Sequence, residues 1–405
     1  MASALVCFNK SNFSLFPKRW ACGKPSSSLR SDSISQPFLN KSKDTEPVYW
    51  RNVAHDELQE TLGQRNPLGV AKNVILFLGD GMGPTTVTAA RILGGTYNVD
   101  TQITDSAASG TAYLAGVKTN QGMLGLSAHA KRSDCESSHG HDVDSILNWS
   151  LDAGKSGGVV TTMRVTHATP GALYAHCPER DWEADSYLPE NSTCLDIAAQ
   201  LVEKNPNISV ILGGGRRNFY LSTQPDPDPS STSTGKRNQK DLIEMWKDKQ
   251  AQAGLSHSFV YDKKGLDAVD LEATDSLLGL FADSHMAYEM DRDVDKEPSL
   301  AEMTETAIRV LQKNEKGFFL LVEGGNIDTA HHDSKASKAL HEVLAMADAV
   351  DVATALTNKE DTLIVVTADH SHTMSIAGYA QRGTSILGGI STTTNTDYPE
   401  LRPPS

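Results

Sequence analysis

The feature that most constrains the fold is an apolar run ending in an acid, which occurs three times. Residues 74–83 (VILFLGDGMG) place Asp80 between glycines after five apolar residues; residues 318–325 (FFLLVEGG) end around Glu323, and residues 362–372 (TLIVVTADHSH) around Asp369. Runs without polar alternation suit strands buried on both faces, as in a parallel sheet covered by helices. The expected class is therefore α/β, with a central, largely parallel sheet flanked by helices on both faces. In open sheets of this kind ligands collect beyond the carboxyl ends of the strands, so Asp80, Glu323 and Asp369 are expected to converge there. Clustered carboxylates repel one another unless cations neutralise them. The pattern points to a polynuclear metal site.

Composition narrows the partners. A net charge of −14 over 405 residues argues against a nucleic-acid partner, because phosphate backbones are bound by basic faces. An acidic chain that handles a phosphate substrate needs local positive charge from metal ions or arginine. No apolar run approaches the about 18 residues that span a bilayer. Residues 4–8 are too short for the apolar part of a secretory leader, so no clear signal peptide is expected. Residues 1–46, Ser-rich and basic over most of their length, read as a disordered tail, 47–389 as the folded domain and 390–405 as an irregular C-terminal tail. The cysteines Cys7, Cys22, Cys135, Cys177 and Cys194 form no CxxC pair, and sequons occur at Asn148, Asn191 and Asn207.

In chain order, residues 50–62 read as a lead-in helix carrying Val53, Leu58 and Leu62. After Asp80, Thr85 or Thr86 can cap a helix, which gives a strand, turn and helix. The glycines around Asp80 lack the GxGxxG spacing, and no P-loop Lys follows, so they suit close backbone approach better than nucleotide binding. Ser106 opens a run of small residues, SAASGTAYLAG. A hydroxyl at a helix N-terminus can act as nucleophile or phosphate ligand, or can simply cap the helix. Residues 157–164 read as a strand with His167 and Thr169 at its exit. Arg180 follows in a loop, either as a solvated charge or as a planar fork for a phosphate-like anion. Residues 208–215 form another strand, and 223–239, rich in Pro, Asp and Ser, an exposed insertion. Ser299 and Glu302 make a capping box that starts a helix through Leu311. Asp328 and His332, at i and i+4, form a zinc half-site close to Glu323, whereas His139 and His141 read as solvated.

Seven segments together, NVILFLGDGMG, TYNVD…DSA…GTAYLAGVK, TTMRVTHATP, YAH…RDW, VILGGGRR, GFFLLVEGGNID…HH and VVTADHSH, closely resemble the animal-type alkaline phosphatases from about Asn73 to Gly389. The resemblance implies hydrolysis of small phosphate monoesters through a phosphoseryl intermediate on Ser106, with Arg180 clamping the phosphate. It implies one zinc held by Asp80, Asp369 and His370, a second held by Asp328 and His332, and magnesium held by Asp80, Thr169 and Glu323. His167 and His372 would stand behind these ligands. It also implies a Cys135–Cys194 disulfide, a homodimer and an extracellular or cell-surface location.

Departures from the family pattern bear on activity. Only Gly94 and Gly95 stand where the family carries a helix- and strand-sized segment, and the family's later zinc-binding His and its lipid-anchor signal have no counterpart here, which leaves one zinc short of a ligand. Asn326 and Thr329 replace the usual Arg and His beside Asp328. A family calcium site keeps Asp228, the Phe281 carbonyl and Glu297, but Ala282 replaces an acid, so weak calcium binding is expected. The alternative to an active enzyme is a catalytically impaired relative or a truncated product. A sulfatase is disfavoured, since no C/S-x-P-x-R motif occurs.

Overall fold

The computed structural model of the chain describes residues 45–63, 98–358, 361–374 and 386–387. Among these residues five strands build the expected sheet: β1 (Ser156–Arg164), β2 (Val210–Gly214), β3 (His257–Val260), β4 (Ser276–Leu280) and β5 (Phe318–Glu323), in the order β3-β4-β2-β1-β5. Every pairing is parallel. Parallel neighbours need a crossover, and each crossover here contains a helix. The helices are α1 (Pro47–Gly63), α2 (Ser106–Ala115), α3 (Ile146–Asp152), α4 (Ala168–Tyr174), α5 (Ile197–Lys204), α6 (Leu242–Gln252), α7 (Lys263–Asp267), α8 (Leu300–Leu311), α9 (Asn326–His332) and α10 (Ala336–Leu356).

Successive strand residues point to opposite faces, and here both faces are apolar cores. Val159, Ile211, Leu278 and Leu280 pack with α2 through α6, where Leu114, Leu147, Leu173, Ile197 and Trp246 are buried. Val160, Val210, Leu212 and Leu277 pack on the other side with Leu266 of α7, Leu300, Met303 and Leu311 of α8 and Ala349 of α10. The two-sided burial explains why the strands read as unbroken apolar runs. Helix α8 starts at the anticipated capping box, with Ser299 and Glu302 each accepting the other's backbone N–H.

Several local expectations are corrected. Residues 223–239 are not simply an exposed insertion: Arg216 pairs with Asp226 (2.7 Å) and Arg237 with Asp196 (2.8 Å), and all four side chains are at most 3% exposed. Long-range ion pairs hold this loop in place, and no local pattern reveals them. Residues 362–372 show no continuous ladder among the described residues, with a bridge only at Val366. In α1, Trp50 packs against Ala115, Val117 and Val143, while Val53 and Leu58 are exposed. The run at 74–83, with Asp80, lies outside the described residues.

Candidate active site

The site forms at the carboxyl ends of β1 and β5, on α4 and α9, which follow those strands, on the start of α2 and on the segments that carry Arg180 and residues 369–372. Asp105, not Ser106, caps α2: its carboxylate accepts from Ala108 N (3.2 Å) and from Gly122 N (3.1 Å). Ser106 is thereby the first helical residue, its side chain free of capping and only 7% exposed. Its Oγ lies 3.3 Å from His370 Nε2. A hydroxyl here sits in the positive field of the helix terminus, which favours an anion beside it.

Asp105 also orients the candidate anion clamp. Its Oδ2 accepts from Arg180 Nη1 at 2.9 Å, and the Arg180 backbone N–H donates to the Gly122 carbonyl at 2.9 Å. Arg180 Nη2 lies 3.1 Å from His167 Nε2. Burial, followed by the guanidinium groups of Arg180 and Arg164, holds His167 well below the usual imidazole range. A neutral ring accepts from Arg180 at Nε2, and its Nδ1 is buried without a partner. Behind it, Arg164 forks onto Glu183 (2.6 Å), and His285 faces the Arg164 backbone N–H with Nδ1 (3.2 Å).

Glu323 ends β5 directly across from Thr161 of β1, its partner in the ladder. Thr161 Oγ1 donates to Glu323 Oε2 at 2.6 Å and itself accepts from Met163 N at 2.8 Å. Thr169 is buried on α4, and its hydroxyl acts on both the Glu323 carboxyl and the Tyr113 phenol of α2, opposing the rise that burial gives each. Crowding by protein raises the Glu323 carboxyl to about 7; the threonine hydroxyls oppose the rise, while Asp369 and Asp328 add to it. Such a carboxylate is only partly ionised near neutral pH, and positive charge brought close favours its ionised form. Hard oxygen donors of this kind fit magnesium.

Around Asp328 the donors change to nitrogen. His372 Nε2 hydrogen-bonds Asp328 Oδ1, His332 Nε2 lies 3.5 Å from Oδ2 and His370 Nε2 lies 3.9 Å from Oδ1. Asp369 Oδ2 is 3.3 Å from His370 Nε2. Among the described residues, Asp328, His370 and His372 are the group of three such donors whose ligand atoms all lie within 4.8 Å of one another. Mixed carboxylate and imidazole donors suit zinc.

The sequence-derived candidates Ser106, Thr169, Arg180, Glu323, Asp328, His332, Asp369, His370, His167 and His372 thus fall in one region. Asp80 lies outside the described residues. The candidate calcium residues lie elsewhere and have other partners: Asp228 Oδ1 accepts from Ser230 N (2.8 Å) and Glu297 Oε2 from Ala287 N (3.0 Å). Beside Phe281, the Leu280 carbonyl is taken by Arg216 Nη1 at 2.6 Å. Sequence reading missed Asp105, Thr161 and Tyr113; Asp105 alone had a signal, since Asp is as good an N-cap as Ser. The expected disulfide is present, with Cys135 and Cys194 joined and their Cα atoms 5.8 Å apart.

Fold and site together define an α/β protein in which a buried hydroxyl at the start of α2 faces a carboxylate–imidazole cluster that could hold a metal ion. A family model described as alkaline phosphatase matches residues 71–96 and 94–401. The mouse tissue-nonspecific isozyme of alkaline phosphatase is 45% identical over 386 aligned positions, spanning 88% of this chain and 74% of the relative. A membrane-bound alkaline phosphatase of Bombyx mori is 40% identical, spanning 92% of this chain and 72% of the relative. The crystal structure of Thermus thermophilus alkaline phosphatase shares the fold with a TM-score of 0.50 at 31% identity, covering 66% of this chain and 49% of that one. The chain belongs to the alkaline phosphatase family.

Proposed function

We propose that this chain hydrolyses small phosphate monoesters in two displacements through Ser106. The observation that carries the reading is Ser106 Oγ at the start of α2, 3.3 Å from His370, with Arg180 held by Asp105 on the same helix terminus. In the first displacement Ser106 Oγ bonds to phosphorus as the ester bond breaks; its proton passes to solvent and the leaving oxygen takes one up. In the second, water attacks the phosphoserine, the bond from Oγ to phosphorus breaks, and inorganic phosphate leaves. Arg180 Nη atoms grip two phosphate oxygens, and Asp105 keeps the fork from turning away.

Asp369 and His370, with Asp80, would hold one zinc, Asp328 and His332 a second, and Thr169 and Glu323, with Asp80, magnesium. When bound, these ions lower the pKa of the serine hydroxyl and of water and neutralise charge on the leaving oxygen. The Cys135–Cys194 bond and the membrane-bound Bombyx mori relative support an extracellular or cell-surface location. No helix among the described residues is long and apolar enough to cross a membrane. Asn191 and Asn207 are exposed and open to glycosylation, and we place the working unit as a homodimer on family resemblance.

The test is Ser106→Ala. Hydrolysis of p-nitrophenyl phosphate is expected to fall at least about 1000-fold, with no phosphoenzyme trapped from labelled substrate. Unchanged turnover would remove Ser106 from the chemistry.

A further inference from the structure

Outside the candidate active site, imidazole and carboxylate meet a second time, beside the N-terminus of α1. His141 is not simply solvated: half-buried, it packs on His129, with ring centres 5.3 Å apart and planes 20° apart. His139 stays exposed. Glu46, just before α1, brings its Oε1 to 3.3 Å from His129 Nε2. These three side chains, with Ser127 and Asp142, line a cavity of about 260 Å³. A water molecule's share of liquid volume is about 30 Å³, so a hydrated ion fits.

The two histidines stand on segments that the backbone ties together. Ser127 N–H donates to the His141 carbonyl (2.8 Å), Val143 N–H donates to the Gly125 carbonyl (2.9 Å), and Leu126 pairs with Asp142 in an antiparallel bridge. Ser127 is 2% exposed, and its Oγ lies 3.4 Å from His129 Nδ1. A ring that donates Nδ1–H to this oxygen turns a bare Nε2 toward Glu46, which is how ligating histidines are usually held.

We infer that His129, His141 and Glu46 bind a zinc ion, with Asp142 at the rim, and that the ion clasps α1 to the loop 127–142. Two imidazoles and one carboxylate are a zinc donor set. Donors about 2.0–2.1 Å from a tetrahedral ion stand roughly 3.3 Å apart, and two imidazoles on it place their ring centres roughly 5 Å apart. The observed 3.3 Å and 5.3 Å agree with both spacings. Closure asks the His141 ring to turn so that one nitrogen faces the ion. An ion pair between protonated His129 and Glu46 needs no second imidazole, and protonating both rings would set like charges side by side. A shared ion instead uses both rings neutral. The side chains of His129 and Glu46 are 36% and 55% exposed, which leaves the ion a way in.

The experiment is anomalous diffraction at and below the zinc edge on crystals of the full chain grown with zinc, paired with zinc counted by mass spectrometry after desalting. The inference requires an anomalous peak between His129 and His141 in the wild type. It also requires His129→Gln and His141→Gln each to lose one zinc equivalent, with binding at this site weakened more than about 100-fold; loss of a merely supporting partner typically costs about 10–100-fold. Hydrolysis of p-nitrophenyl phosphate should stay at the wild-type rate in both variants, because neither residue reaches Ser106, Arg180 or the cluster around Asp328. Peaks confined to that cluster, or equal zinc counts in wild type and variants, would overturn the inference and leave the phosphatase reading intact. The wild-type map decides the matter even if a variant does not fold.

Discussion

The two sides of the sheet's centre are built differently. In β2 and β4 every residue is buried, and both strands carry only Ser, Gly, Val, Ile and Leu. In β5 no residue is fully buried, yet it carries Glu323 and leads into Asp328. Strands β2 and β4 supply packing, and the acid that serves the site stands on β5. Physically this is expected. Carboxylates in a dry, close-packed interior shed their charge, as the raised Glu323 carboxyl shows, unless ions enter to offset them.

That contrast can be tested. Leu278→Ala in β4 removes a fully buried side chain and should cost about 2–5 kcal/mol of stability in denaturant unfolding. Leu321→Ala in β5 should cost about half as much. Equal losses would mean that β5 is packed as tightly as the interior.

Thr161→Val keeps the shape of the side chain but leaves Met163 N and Glu323 Oε2 without their partner, and should cost about 1–3 kcal/mol. Thr161→Ser should restore most of the loss. If Val were neutral, the hydroxyl would not be what ties the interior strand β1 to the reactive strand β5.

A further effect concerns acid. Burial, then Arg164, lowers His285 to about 4 from 6.5, with Glu183, Arg217 and Asp328 also within its field. The unfolded chain therefore takes up a proton between these values while the folded chain does not. Stability from this group is complete above about pH 6.5 and is lost as pH falls toward about 4. His285→Gln should flatten the slope in that window. An unchanged slope would assign the acid sensitivity to other groups.

Much of this was legible in the sequence, for identifiable reasons. Strands β1, β2 and β5 announced themselves because both of their faces are apolar, and α8 because its capping box is local. The spacing of Asp328 and His332 was readable for the same reason. What escaped depends on distance in the chain. Nothing near residue 226 says that Arg216 will hold it, and nothing near Glu323 says that Thr161 will stand opposite. Strand β3 has four residues with a single fully buried one and gives little signal, and β4 was not read although all five of its residues are buried. The position of His372 against Asp328 joins residues 44 apart, and the nearer pair in sequence, Asp328 and His332, drew attention first.

The Cys135–Cys194 bond spans a sequence separation of 59. Thr161, His167, Thr169 and Arg180 all lie on the ring it closes, while Ser106 and the imidazole cluster lie outside. A single protease cut anywhere between the two cysteines therefore cannot release the groups that grip the phosphate. In an oxidising milieu the nicked chain would run as one species on a non-reducing gel and separate only after reductant, so scars in this ring would accumulate unseen in a working population.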